Sequence, residues 1–76
     1  MTVAARKLDA RGLNCPLPIL RTRKALDQLA SGEVLEVIAS DPGSVKDMAS
    51  FCALTGNILI SRGAAANDYA FLIEKL

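Results

Sequence analysis

Cys15 is followed by Pro16, Leu17 and Pro18, so a thiol stands directly before two residues that have no backbone N–H to donate. The chain has 2 cysteines, Cys15 and Cys52, and no histidine. That inventory narrows the chemistry. A Cys–His dyad of the kind used by cysteine hydrolases cannot form within one subunit. Two sulfurs without a histidine are too few for a tetrahedral zinc site, and no Cys-x-x-Cys redox pair is present. Sulfur exchange remains. A thiolate that attacks another protein's persulfide needs no general base, no metal and no organic cofactor, and its product, a persulfide on Cys15, is itself an anion.

The proline-rich stretch places Cys15 at the start of a helix. Such a start carries roughly +0.5 of an elementary charge and free N–H groups that favour an anion. With Cys15 at the N-cap, the thiol is expected to fall from about 8.5 into the range of roughly 3.5–7.5. Pro16 and Pro18, at the first and third helical positions, leave Leu17 as the first-turn donor to sulfur. Arg11 and Arg21 are close in sequence and add positive potential. The prolines also stiffen the segment that holds the sulfur.

The elements that must position this thiol follow from periodicity. Residues 6–10 read as a strand, with Leu8 and Ala10 inward at period two, and residues 11–14 as a loop. Ile19, Thr22, Leu26 and Leu29 recur at helical spacing, which predicts a helix from about Pro16 to Ala30, ended by Ser31 and Gly32. Residues 33–40 (EVLEVIAS) predict an interior strand. Asp41, Pro42 and Ser44 supply a proline and two candidate caps for a second helix to about Thr55. Its inner stripe is Val45, Met48, Ala49 and Cys52, and Gly56-Asn57 stops it. A strand over 58–62, a turn over 63–68 and a strand over 69–75 complete the chain. The order β-α-β-α-β-β, with right-handed crossovers, predicts an α/β (α+β) two-layer sandwich. Two helices cover one face of a mixed four-stranded sheet, whose last strand is antiparallel.

At 76 residues the chain is expected to be a single domain over positions 1–76. Its 51% apolar and 22% charged residues are those of a folded globule. The N-terminal MTVAARKLDARG lacks the apolar core of a secretory signal, and no apolar run approaches the ~18 residues of a membrane span. A cytoplasmic location with reduced thiols and no membrane partner is the expectation. A net charge of +1 and three aromatic residues (2 Phe, 1 Tyr, no Trp) offer little to a nucleic acid, so no direct nucleic-acid partner is expected.

The stretches LDARGLNCPLPIL, VIASDPGSVKDMASFCALTGN and YAFLIEKL together resemble the TusA/SirA-like small sulfur carriers, a sulfurtransferase family marked by Cys-Pro-x-Pro. The resemblance covers nearly the whole chain, from about Leu8 to Lys75. It implies the β-α-β-α-β-β sandwich and a catalytic cysteine, here Cys15, supported by Pro16, Leu17 and Pro18. It also implies a cysteine desulfurase or rhodanese as sulfur donor and a downstream sulfur-acceptor protein. Family members serve tRNA thiolation, molybdenum-cofactor supply, sulfur oxidation or selenium metabolism. Some of those in tRNA thiolation have an acidic residue between the two prolines, where this chain has Leu17.

Plainer readings stand beside these. Cys52, on an apolar stripe, reads as a small buried hydrophobe. Asp41 reads as a helix cap, Lys46 and Asp47 as a solvated face, and Met48 as core. Arg11, Arg21 and Lys24 suit docking of an acidic partner, although Arg21 also reads as an ordinary surface residue. Two functions of other classes use the same fold: a non-enzymatic interaction or regulatory module acting through the open sheet face, and a small RNA-binding domain. Replacement of Cys15 by serine separates a carrier from an interaction module, and salt-dependent RNA binding marks the third.

Overall fold

The computed structural model describes residues 3–76. Six elements follow one another in the expected order: β1 (Arg6–Ala10), α1 (Leu17–Asp27), β2 (Val34–Ala39), α2 (Gly43–Thr55), β3 (Ile58–Ala65) and β4 (Asp68–Glu74). The sheet order is β1-β2-β4-β3. β1 runs parallel to β2, as an intervening crossover helix requires, and β4 is antiparallel to both β2 and β3. α1 lies over β1 and β2, α2 over β3 and β4, and the helices touch each other. Among the described residues, no helix is long and apolar enough to cross a membrane.

Alternation along the strands sets which side meets the helices. Leu8 and Ala10 on β1 stand opposite Val37 and Ala39 on β2, which in turn stand opposite Phe71 and Tyr69 on β4. One row of side chains thus crosses the sheet beneath the helices. Leu35, Val37, Ala39, Phe71 and Ile73 meet Ala25 and Leu26 of α1 and Met48 and Cys52 of α2 in one core. Cys52 and Met48 are buried, as their helical spacing predicts.

Two boundaries depart from the expectations by three residues, the ends of α1 and β3. α1 ends at Asp27, three residues early, because the N–H groups of Gln28 and Leu29 turn to the carbonyls of Ala25 and Leu26 in tighter i→i−3 bonds. Glu33 then claims the next turn: its Oε1 accepts the Ala30 N–H at 2.7 Å. Leu29 still packs against the core although it lies past the helix. β3 runs on to Ala65, and the connection to β4 shrinks to a two-residue turn at Ala66 and Asn67. A bulge between Leu59 and Ser61 lets Ile60 slip outside the ladder.

Two glycines make turns that side chains resist. Gly12, at φ 81°, bends the chain from β1 toward the cysteine, and its N–H is held by Ser40 Oγ at 2.8 Å. Gly56, at φ 83°, closes α2, where a Cβ would come within 3.1 Å of Leu76.

Candidate functional site

The cysteine motif is anchored by its second proline. Pro18 lies in the first turn of α1 with its ring buried, and the Thr22 hydroxyl, also buried, donates to the Pro18 carbonyl at 2.8 Å. Pro16 is the exposed N-cap, so Cys15 stands one residue ahead of the cap that the sequence assigns to it. The Cys15–Pro16 peptide bond is cis. Leu17 donates its N–H to the Asn14 carbonyl at 2.8 Å, so the expected first-turn donor to sulfur is committed elsewhere.

Cys15 is exposed, free, and held by the start of α2. Its backbone N–H donates to Asp41 Oδ2 at 2.8 Å, while Asp41 Oδ1 accepts the Gly43 N–H at 3.2 Å. One carboxylate therefore joins the entries of both helices. The cap of α2 is Pro42, so Asp41 serves the helix start from one residue ahead of the position expected of it, and takes a second role that spacing does not reveal. Ser44, the other candidate cap, is buried and donates its hydroxyl to the Asp41 carbonyl at 2.6 Å instead.

The thiol itself donates to Asp47 Oδ2 at 2.7 Å. The hydrogen bond to Asp47, with partial desolvation and the negative charges of Asp47 and Asp41, pushes the Cys15 thiol above its ordinary value. The lowered thiol expected from the sequence is thereby corrected. A full carboxylate charge at hydrogen-bond distance outweighs half a charge at a helix start that lies one residue further on. Asp47, which reads from sequence as part of a solvated face, is half-buried against the sulfur.

An open groove of about 340 Å³ runs beside the thiol, lined by Cys15, Pro16 and Ile19 from one side and Asp47, Ser50, Phe51 and Leu54 from the other. Leu54, in that lining, is 87% exposed, so apolar surface continues outward from the groove. The three cations named from sequence do not gather there. Arg11 donates through Nε and Nη2 to the two carboxylate oxygens of Asp9, at 2.9 and 2.8 Å. That pairing lowers Asp9 to about 2. Arg21 and Lys24 line a separate depression with Arg6 and Leu8, on the flank of α1 that faces β1. The second cysteine, Cys52, is buried, and burial raises its thiol.

Comparison with known proteins decides the lineage. The profile of the family described as "Sulfurtransferase TusA" matches residues 6–75. The chain belongs to the TusA sulfurtransferase family. It is 54% identical to the sulfur carrier protein TusA of Allochromatium vinosum over 70 residues, 92% of each chain. A SirA-like protein from Desulfitobacterium hafniense shares the fold, with a TM-score of 0.80 at 24% identity over 91% of this chain and 95% of that one. In this member of the TusA family, the residues that sequence reasoning missed are the carboxylates on the cysteine. The acidic pair around DPGSVKD was visible. What it faces depends on how α1 and α2 pack, which no local pattern encodes.

Proposed function

We propose that this chain is a sulfur carrier working as one domain: it accepts sulfane sulfur on Cys15 as a persulfide and passes it to an acceptor protein. The observation that carries this reading is the exposed free thiol of Cys15 at the mouth of an apolar groove, in a chain of the TusA family. Cys52, buried in the core, offers no comparable access to another protein.

The step balances without an oxidant or a cofactor. The Cys15 sulfur attacks the outer sulfur of a persulfide on the donor, a cysteine desulfurase or rhodanese. The donor's S–S bond breaks and a new one forms on Cys15. The donor cysteine leaves with the electron pair and takes up the proton that Cys15 gives up. The reverse geometry hands the sulfur to the acceptor, a thiol protein in a relay that ends in tRNA thiolation, cofactor biosynthesis or sulfur oxidation.

The fold's part is positioning. Pro18 roots the motif in the core, Pro16 and Leu17 present the sulfur ahead of α1, and the groove beside it takes the partner's cysteine loop. Arg21 and Lys24, on one flank, orient an acidic partner, whereas Arg11 contributes only where a partner carboxylate displaces Asp9 from it; such charges mainly raise encounter rates. A cytoplasmic setting, where thiols stay reduced, suits the chemistry.

The test is a relay reconstituted from donor, carrier and acceptor. A Cys15→Ser protein that folds normally is expected to pass no sulfur, whereas Cys52→Ala passes it. Relay activity that survives in Cys15→Ser would refute the proposal.

A further inference from the structure

Cys15 is gripped twice, from α2 and from the turn that leads into it. Asp41, just before α2, takes its backbone N–H, and Asp47, on α2 itself, takes its thiol. Among the described residues, neither Asp41 nor Asp47 forms an ion pair. Arg11 is paired with Asp9, while Arg21 and Lys24 lie on the flank toward β1. Arg23 lies in a depression with Asp27 and Lys75, and Lys46 is exposed on α2.

A thiol that donates to a carboxylate must break that bond before its sulfur can attack. It must also ionise beside a charge that opposes ionisation. We propose that Asp47 is a positioning residue that holds Cys15 of the unloaded protein as a hydrogen-bonded thiol turned toward α2, restraining its reactivity until a partner enters the groove. Its purpose rests on the carrier reading of Cys15, but its readout needs no sulfur donor. A sulfur that must meet chosen proteins, and not every small electrophile, gains selectivity from such a restraint. The thiolate is the nucleophile, so a smaller ionised fraction means fewer adventitious encounters that react.

The test is the pH profile of Cys15 alkylation by iodoacetamide, read by intact mass, for the wild type, Asp47→Asn and Asp47→Glu. In Asp47→Asn the inflection is expected to fall. Each unit of fall gives tenfold more thiolate. Nucleophilicity drops with basicity, so the neutral-pH rate rises only about three- to fourfold per unit and the alkaline plateau falls about threefold. Asp47→Glu restores the carboxylate and is expected to recover most of the upward shift. Asp47→Ser supplies a second neutral variant should the asparagine protein fold poorly.

A variant that merely loosens the helix packing would react faster at every pH with an unmoved inflection. That result, or an Asp47→Asn profile equal to wild type, overturns the restraint and leaves the carrier reading standing. Failure of the wild type to take up sulfur would instead remove the carrier role and leave these profiles as they are.

Discussion

Replacement of Asp41 by alanine removes a side chain that holds both helix entries. Its Oδ1 accepts the Gly43 N–H at 3.2 Å and its Oδ2 the Cys15 N–H at 2.8 Å. Both acceptors vanish in Asp41→Ala, while the Ser44 bonds to the Asp41 backbone carbonyl remain. Loss of a carboxylate at a helix start costs about 1 kcal/mol. The bond to Cys15, from an ionised acceptor, is worth roughly 1.5–3 kcal/mol when buried. The Cys15 N–H lies at the surface, where water replaces the lost partner, so about 1 kcal/mol is the better figure there. The sum is about 2 kcal/mol, which for a domain of this size lowers Tm by roughly 8–16 °C. Asp41→Asn, whose single amide oxygen serves one N–H at a time, is expected to fall between. Calorimetry or thermal circular dichroism near neutral pH reads both. An Asp41→Ala protein that melts within about 2 °C of wild type would refute the bridge as a source of stability.

Three further outcomes are expected. Both thiols are raised by the fold, Cys15 chiefly by Asp47 and Cys52 by burial, so the folded state favours the protonated forms. That stabilisation is complete below the unfolded thiol value of about 8.5 and is lost as pH rises through the folded values. Tm should therefore decline on the alkaline side, less steeply in Cys52→Ala, and an alkaline Tm curve identical in the two proteins contradicts this. Cys52→Ala should fold at a cost on the order of 1 kcal/mol for one small core group and still take up sulfur; a folded variant that fails to load contradicts a core-only role. Arg21→Glu should slow sulfur uptake from a donor, with the gap to wild type narrowing as salt rises, and equal rates at low salt would exclude Arg21 from docking.

Element order was legible because each element announces its period: alternation at Leu8 and Ala10, the helical recurrence of Met48 and Cys52, and the stop at Gly56. Cys15 stood out through Pro16 and Pro18, and its exposure follows from its place in a loop end ahead of a helix. The sheet order was less accessible. β4 inserts between β2 and β3, a choice made by long-range pairing such as Val37 opposite Phe71. The electrostatics at the sulfur inverted for a similar reason. Cys15 and Asp47 are 32 positions apart, and only the packing of α1 on α2 brings a carboxylate to the thiol. A helix-start argument counts the charge of its own element. It does not see what the neighbouring element contributes.

Whether Cys15 carries sulfur is tested most directly by intact-mass spectrometry after incubation with a persulfide-bearing cysteine desulfurase or rhodanese. Wild type and Cys52→Ala are each expected to gain one sulfur, ~32 Da, removable by a thiol reductant, while Cys15→Ser gains none. The same mass on folded Cys15→Ser, or no gain on wild type from either class of donor, would contradict the assignment of Cys15 as the carrier site.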